Sequence, residues 1–254
     1  MKFAIAHVIY KRWKTDMRDL KKRTVLLRDI LKALSKSKNH IDMLVLPAGY
    51  IWTKKVSECD KTASKLISGL PKTHPAIVFG VDCRRNGDGK RDVSSPPFFG
   101  YVLSQNNKKL IWSLRQQGTG HHCLVKPEKV AAEERIFNVS GNKVALTICG
   151  EMTSKISAKG RMRISQFIGE KNDVDLVVNI AHGDLKTAPP NITWFPAMKS
   201  ARKPIVVAEH IGEDKIEKKG FNQSVNLGPE FSRRLKKPIS IRKDEYYLKL
   251  YELP

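Results

Sequence analysis

The sequence predicts a single α/β domain, a sandwich with mixed sheets. Runs of apolar, β-type residues alternate with helical stretches along all 254 residues. Hydrophobic residues make up 41% of the chain, which is enough to build a sizeable core. No shift in composition and no low-complexity linker divides the chain, so residues 1–254 are predicted to form one domain.

The chain opens with a strand and an amphipathic helix. "KFAIAHVIY" alternates at its start, as a half-buried strand does. Asp16 is the predicted N-cap of the helix. The apolar residues of this helix recur at three- and four-residue spacing, namely Leu20, Leu27, Ile30, Leu31 and Leu34, with Val25 and Leu26 widening the stripe. "IDMLVLP" is then a short strand, followed by a helix over residues 61–70 and the strand "PAIVFGVDC".

The remaining elements repeat this alternation. "CRRNGDGKRDVSSPP" is a polar loop, and "FFGYVLS" with "LIWSLR" forms a predicted hairpin. The strand at 143–149 precedes a basic helix over 156–169, the strand "VDLVVNIA" and a helix over 194–202. "PIVVAEHIG", "FNQSVNL" and "EYYLKLYEL" complete the list of predicted strands.

Composition excludes several protein classes. No run of about 18 apolar residues is present, so no transmembrane helix is predicted. The apolar patch at the N-terminus is too short for a signal peptide. The four cysteines are widely spaced without a CxxC pair, which favours a reducing, cytoplasmic location over a disulfide framework.

The net charge of +22 is unusually high for this length. Such an excess favours contact with nucleic acid, although a lysine-rich solvated surface has the same composition. No zinc finger and no RNA-binding string is present. The adjacent His121, His122 and Cys123 point divergently on an extended chain, so a zinc site is rejected and no cofactor is expected.

The segment "KVALTICGE" carries the strongest chemical signal. An apolar strand ends at Cys149, and Gly150 suits a sharp turn because it tolerates backbone angles that other residues avoid. Glu151 then caps the following turn or reaches a pocket. A thiol in an electropositive turn ionises readily and becomes a nucleophile. The alternative is an inert core cysteine where a strand stops.

The chain resembles the nitrilase, or carbon–nitrogen hydrolase, superfamily nearly end to end. "KFAIAH" is similar to the family's first strand, "DMLVLPAGY" to its segment ending in Pro-Glu, and "YVLSQNNKKLIWSLRQQG" to the hairpin that carries its lysine. "VALTICGE" resembles the cysteine elbow, and "DVDLVVNIAHG", "WFPAMKSARKPIVVAEHIG" and "GFNQSVNLGPE" resemble later segments. The resemblance implies a four-layer α-β-β-α sandwich and homo-oligomers assembled through the sandwich faces.

The family's chemistry implies a Glu, a Lys and a Cys, and this sequence keeps only the last. The glutamate position is Ala48 and the lysine position is Gln116, whereas Cys149 fills the nucleophile position. The resemblance therefore predicts an impaired or non-catalytic protein that binds a partner or a small amide, nitrile or acidic ligand. On this view, iodoacetamide alkylates Cys149 no faster than an exposed reference thiol.

Two alternatives stay open. An active but atypical cysteine amidohydrolase or acyltransferase would borrow other groups near the sulfur, while a basic nucleic-acid-binding protein would not need them. Arg115 lies on the opposite face of its strand unless the register slips by one residue. The remaining pocket candidates are Glu128, Glu133, Glu134, Glu151 and His182, of which the histidine can serve as a base at neutral pH.

Overall fold

Two β-sheets pack face to face, and two helices cover the outer face of the larger sheet. The structure is a computed structural model that describes residues 1–10, 17–37, 39–83, 98–106, 110–119, 122–123, 135–152, 173–182, 204–212 and 239–253. The predicted helices at 156–169 and 194–202, the polar loop at 84–97 and the strand "FNQSVNL" lie outside these residues. Three of the four predicted layers are therefore described.

The helices are α1 (Leu20–Lys36) and α2 (Cys59–Ser68), with 3-10 turns at Val56–Glu58 and Cys149–Met152. The strands of the first half are β1 (Lys2–Tyr10), β2 (Met43–Val45), β3 (Ile51–Thr53), β4 (Ala76–Cys83), β5 (Phe98–Leu103), β6 (Leu110–Arg115), β7 (Gly118–Thr119) and β8 (His122–Cys123). Those of the second half are β9 (Ile136–Val139), β10 (Asn142–Ile148), β11 (Leu176–Ile180), β12 (Ile205–Ala208), β13 (His210–Gly212), β14 (Ile239–Arg242) and β15 (Tyr246–Glu252).

The larger sheet has the strand order β14-β15-β1-β2-β4-β5-β6, with β13 paired to β1 and β3 paired to β4. Its centre is parallel, because β1 pairs with β2 and β2 with β4 in that sense. The predicted hairpin forms as the antiparallel pair β5–β6. The smaller sheet has the order β12-β11-β10-β9, and β10, β11 and β12 are parallel.

Strand β1 is buried along both faces rather than half-buried. Ala4 and Ala6 belong to the core between the larger sheet and the helices, whereas Phe3 and Ile5 belong to the core between the two sheets. Successive side chains of a strand point to opposite faces, so one strand serves both cores. Strands β4, β10 and β11 are buried in the same way over most of their lengths.

Helix α1 begins one turn later than the sequence predicts. Its N-cap is Asp19, whose side chain accepts a hydrogen bond from the Lys22 backbone N–H at 2.9 Å. The predicted cap, Asp16, lies outside the described residues. Val25 was assigned to the apolar stripe, but it is 56% exposed because the buried stripe runs along the other face of the helix. No helix of the described residues is long and apolar enough to cross a membrane.

Candidate active site

The cysteine elbow forms where the sequence predicts a turn, but the strained residue is the cysteine itself. Cys149 follows β10 directly, opens a 3-10 turn and has a φ of 47°. A non-glycine residue in the left-handed region is uncommon and costs of order 1–3 kcal/mol. The prediction that Gly150 takes the unusual backbone angles is therefore wrong for this structure, in which the turn presents a half-buried sulfur at the end of the strand.

Glu151 holds the elbow in place and does not line the pocket. Its carboxylate accepts hydrogen bonds from the Ile148 backbone N–H at 2.8 Å and from two Arg135 nitrogens at 2.8 and 3.0 Å. It also accepts a hydrogen bond from the Gln117 backbone N–H. Both charged side chains are almost fully buried. Because these donors occupy both oxygens, the predicted role of Glu151 in the pocket is replaced by a structural one.

His182 reaches the sulfur because two parallel strands end side by side. Ile148 at the end of β10 is in register with Ile180 at the end of β11. Cys149 is one residue past the first strand end, and His182 is two residues past the second. His182 therefore lies close enough to Cys149 for its positive charge to lower the pKa of the thiol.

Asp82 completes the arrangement from the other sheet. It lies near the carboxyl end of β4, is fully buried, and its Oδ2 is 2.6 Å from His182 Nε2. The Phe98 ring packs on the imidazole with a centroid distance of 4.5 Å. The sequence analysis missed Asp82, although one signal was present: an acid inside an otherwise apolar strand.

The charges of Cys149, His182 and Asp82 shift the pKa values of the thiol and the imidazole. Burial alone would lower the pKa of His182, but the charges of Asp82 and Cys149 outweigh it and raise the pKa to about 10. Burial alone would raise the pKa of the Cys149 thiol, yet the positive charge and hydrogen bonds of His182 bring it below its ordinary value. Both shifts favour a thiolate beside an imidazolium over the neutral pair.

The segment that should carry the family's glutamate is fixed but holds no acid. Ala48 is 1% exposed and packs in the core between the sheets. Its carbonyl oxygen accepts a hydrogen bond from His210 Nε2 at 3.0 Å. A Cβ on Gly49 would lie 2.6 Å from Asp82 Oδ2, so this carboxylate abuts the 48–49 turn. Asp82, on the neighbouring strand β4, is thus an acid beside the 48–49 turn.

Gln116 and Arg115 lie at the end of β6 in different environments. Gln116 is 2% exposed, and its backbone N–H donates to the Phe98 carbonyl oxygen at 2.9 Å. The Arg115 guanidinium lies 5.8 Å from the centre of the Phe99 ring, which packs on the core beneath the helices. Cys149 packs on the core between the sheets. Arg115 is therefore on the face of the larger sheet that points away from the sulfur.

The other predicted candidates cannot be placed. Glu128, Glu133, Glu134 and His121 lie outside the described residues, and β8 is described only by its backbone. Across the described ranges, no group of three or more His, Cys, Asp or Glu side chains is arranged to hold a metal ion.

Comparison with known proteins gives a fold but no sequence relative. No known family model matches the sequence. No curated protein matches it either.

Several solved structures share the architecture. An amidase from Nesterenkonia sp. is similar with a TM-score of 0.60 at 12% identity, over 100% of this chain and 90% of that chain. A cysteine-to-alanine mutant of the amidase from Nesterenkonia sp. AN1, in complex with butyramide, gives 0.62 at 13% identity, over 100% and 91%. Nit3 of Saccharomyces cerevisiae, a member of branch 10 of the nitrilase superfamily, gives 0.58 at 11% identity, over 98% and 88%. The predicted fold class is confirmed, and the chain has the nitrilase fold.

Proposed function

We propose that this protein is an active, atypical cysteine hydrolase or acyltransferase that acts on carbon–nitrogen bonds. Its reacting groups are Cys149 and His182, and Asp82 positions the histidine. The observation that supports this most strongly is the His182 ring, whose Nε2 lies 2.6 Å from the buried Asp82 carboxylate and whose charge acts on the Cys149 thiol. The sequence favours a non-catalytic protein because Ala48 and Gln116 stand where the family has its glutamate and lysine. The charges of Asp82 and His182, which both act on the Cys149 thiol, support the active alternative.

The acylation half-reaction follows from this geometry. The Cys149 thiolate attacks the carbonyl carbon of an amide, and the carbonyl π electrons move onto oxygen to give a tetrahedral oxyanion. The imidazolium of His182 donates its proton to the amide nitrogen. The oxyanion collapses, the C–N bond breaks, and a neutral amine or ammonia leaves. The products on the enzyme are a thioester at Cys149 and a neutral imidazole held by Asp82.

Deacylation reverses the proton transfers. A water molecule attacks the thioester carbon through its oxygen and gives a proton to the neutral His182 ring. In an acyl transfer, the oxygen of an alcohol or the nitrogen of a second amine attacks in the same way. The C–S bond then breaks and its electron pair returns to sulfur, which restores the thiolate–imidazolium pair. Asp82 takes no part in these bond changes and orients the ring, so we describe it as a positioning residue.

Neutral groups take the place of the family's charged helpers. At the lysine position, the Gln116 amide can donate a hydrogen bond to a developing oxyanion but brings no charge. The Gln117 backbone N–H donates a hydrogen bond to Glu151, which keeps Gln116 close to the cysteine elbow. A single oxyanion donor contributes about 10²–10³ in rate. We therefore expect turnover below that of an enzyme with a lysine at this position.

Small aliphatic amides are the first substrates to test. The Nesterenkonia amidases are described in complex with acrylamide or butyramide, and with the acetamide moiety of fluoroacetamide added covalently at the active-site cysteine. We propose that this chain accepts the same chemical class, because the fold places Cys149 at the end of a comparable strand. From the sequence alone, the segments "RRNGDGKRDVSSPP" (84–97) and "HGDLKTAPPNITW" (182–194) are the predicted rims of its pocket.

The experiment incubates the protein with acetamide, butyramide, acrylamide and fluoroacetamide, and measures ammonia release together with the intact mass of the protein. We expect ammonia release from at least one amide and a covalent adduct that maps to Cys149. The Cys149→Ala variant should show neither. If the panel yields neither ammonia nor an adduct while the protein stays folded, the catalytic proposal is wrong and the non-catalytic interpretation is favoured.

A reducing compartment is also part of this proposal. Cys59, Cys83 and Cys149 are all free thiols, and the first two are buried. A thiolate nucleophile requires its sulfur in the reduced state. These features favour the cytoplasm as the site of action.

A further inference from the structure

We infer that the outer face formed by α1, α2 and their flanking turns binds the phosphodiester backbone of a nucleic acid. We call this face the basic layer. It consists of eleven exposed lysines and arginines between residues 18 and 72: Arg18, Lys21, Lys22, Arg28, Lys32, Lys36, Lys54, Lys55, Lys61, Lys65 and Lys72. The inference is independent of the proposed catalysis at Cys149.

The acids of this layer are fewer than its cations, and those described here have structural roles. Asp19 caps α1, and Glu58 accepts hydrogen bonds from the backbone N–H groups of residues 54 and 55. Asp29 accepts a hydrogen bond from the Tyr246 hydroxyl at 2.9 Å, and Asp60 accepts one from the Tyr101 hydroxyl at 2.8 Å. Each carboxylate thus has a capping or anchoring role that orders the fold.

Ion pairing within the layer is sparse. Among the described residues, the one ion pair of a basic-layer cation joins Lys22 to Glu245 at 4.0 Å, with both side chains about half exposed. Exposed pairs of this kind contribute little. The cations therefore produce a positive potential over the helices, which attracts an extended polyanion.

A cavity of about 780 Å³ opens within the basic layer. It lies between the last turns of α1 and α2 and the segments around residues 71–75 and 105–106. Arg28, Lys32, His40 and His74 contribute to its lining, which contains no Asp or Glu. Arg28 Nε donates to the Gly69 carbonyl oxygen at 2.7 Å, so its guanidinium is held at the rim.

Two histidines line this cavity. His74 is 5% exposed, and its Nδ1 donates to the Pro75 carbonyl oxygen at 2.7 Å. Its Nε2 has no hydrogen-bond partner among the described residues. The other histidine, His40, is mostly exposed and lies 3.3 Å from Asp42.

The cavity is separate from the cysteine site. Residues 39–41 precede β2, and His74 with Pro75 precedes β4, so the cavity lies at the amino ends of these strands. Asp82 is near the carboxyl end of β4. At 3.3 Å per residue, the two ends are about 23 Å apart. Binding at the basic layer therefore leaves the sulfur accessible.

The basic layer fits a nucleic acid better than it fits a membrane surface or a second copy of this chain. Val25 and Val56 are its exposed large apolar residues in the described chain, so it lacks the apolar stripe that inserts into a membrane. A symmetric contact between two copies through this face would place like charges opposite each other. Tyr50 and Trp52, the aromatic residues of the described part of the layer, are buried, so phosphates rather than bases would be recognised there, independently of sequence.

The test measures fluorescence anisotropy of a labelled DNA strand of about 20 nucleotides, alone and as a duplex. We compare Lys32→Glu/Lys61→Glu/Lys65→Glu with a charge-matched control, Lys143→Glu/Arg242→Glu/Lys243→Glu, which alters exposed cations outside the layer. The wild type should bind at about 50 mM salt and lose affinity steeply by about 200 mM. The layer variant should bind at least about 10-fold more weakly with a smaller salt slope, while the control stays within about threefold.

Three results would overturn the inference. They are no binding by the wild type at low salt, equal weakening in both triple variants, or binding to anionic vesicles or to a second copy in preference to DNA. Amide turnover measured on the same proteins separates this question from the catalytic one. The layer variant should retain wild-type turnover, because none of its three positions contacts the cysteine site.

Discussion

Replacing His182 with glutamine should lower amide turnover by about 10²–10⁴, the range expected when a general acid–base is lost. Two functions disappear together. The thiol loses the neighbouring cation that brings its pKa below the ordinary value. The leaving amine also loses its proton donor. Glutamine is similar in size and still able to hydrogen-bond Asp82, so packing against Phe98 is disturbed less than with alanine.

The matched control is His40→Gln, which changes the same residue type on the exposed surface outside the site. It should leave turnover unchanged. Circular dichroism and the unfolding midpoint of both variants establish that folding is retained. Turnover of His182→Gln within threefold of the wild type would contradict the assignment of this ring as acid and base, even if Cys149 proved to be the nucleophile.

Replacing Glu151 with leucine should destabilise the protein by about 3–5 kcal/mol, because it leaves the buried Arg135 guanidinium without its counter-ion. The arginine is 1% exposed and cannot turn to water without opening the core. The elbow also loses the acceptor for the Ile148 backbone N–H. Urea unfolding of wild type and variant measures the change in free energy.

The double variant Arg135→Met/Glu151→Leu distinguishes the cost of an unpaired buried charge from the cost of altered packing. If the destabilisation comes from an uncompensated charge, the double variant should be more stable than Glu151→Leu alone. Additive losses, or a loss below about 1 kcal/mol for Glu151→Leu, would show that the pair does not hold the elbow.

The sequence predicts the parts of the fold that depend on local pattern. Apolar runs identify β1, β4, β10 and β11, because a strand buried on both faces needs apolar residues at successive positions. The short strands β9 and β14 are not predicted, since β9 mixes polar with apolar residues and β14 is largely exposed. Helix α1 is predicted with its cap one turn too early, because two aspartates compete as start signals.

The site is predicted less completely, for a physical reason. Cys149 and Glu151 are adjacent in sequence, so the elbow is recognisable, but only tertiary contacts decide that the glutamate turns toward Arg135. Asp82 is 100 residues from His182 and lies on the other sheet. No local spacing connects them. The sequence shows that Ala48 is not an acid. Only the folded structure shows that Asp82 of the neighbouring strand β4 lies against the 48–49 turn.

The most direct test of a thiolate held beside an imidazolium is the pH dependence of Cys149 alkylation by iodoacetamide, corrected with a Cys149→Ser variant. The sequence alone predicts that iodoacetamide alkylates Cys149 no faster than an exposed reference thiol, because it does not place a cation beside the sulfur. The pair predicts instead that the rate of alkylation falls with a midpoint below that of an ordinary thiol, since the pKa of Cys149 is lowered while His182 keeps its proton up to about 10. Asp82→Asn should shift the profile toward that of an ordinary thiol. A wild-type rate that falls with a midpoint at or above about 8.5 would contradict the account.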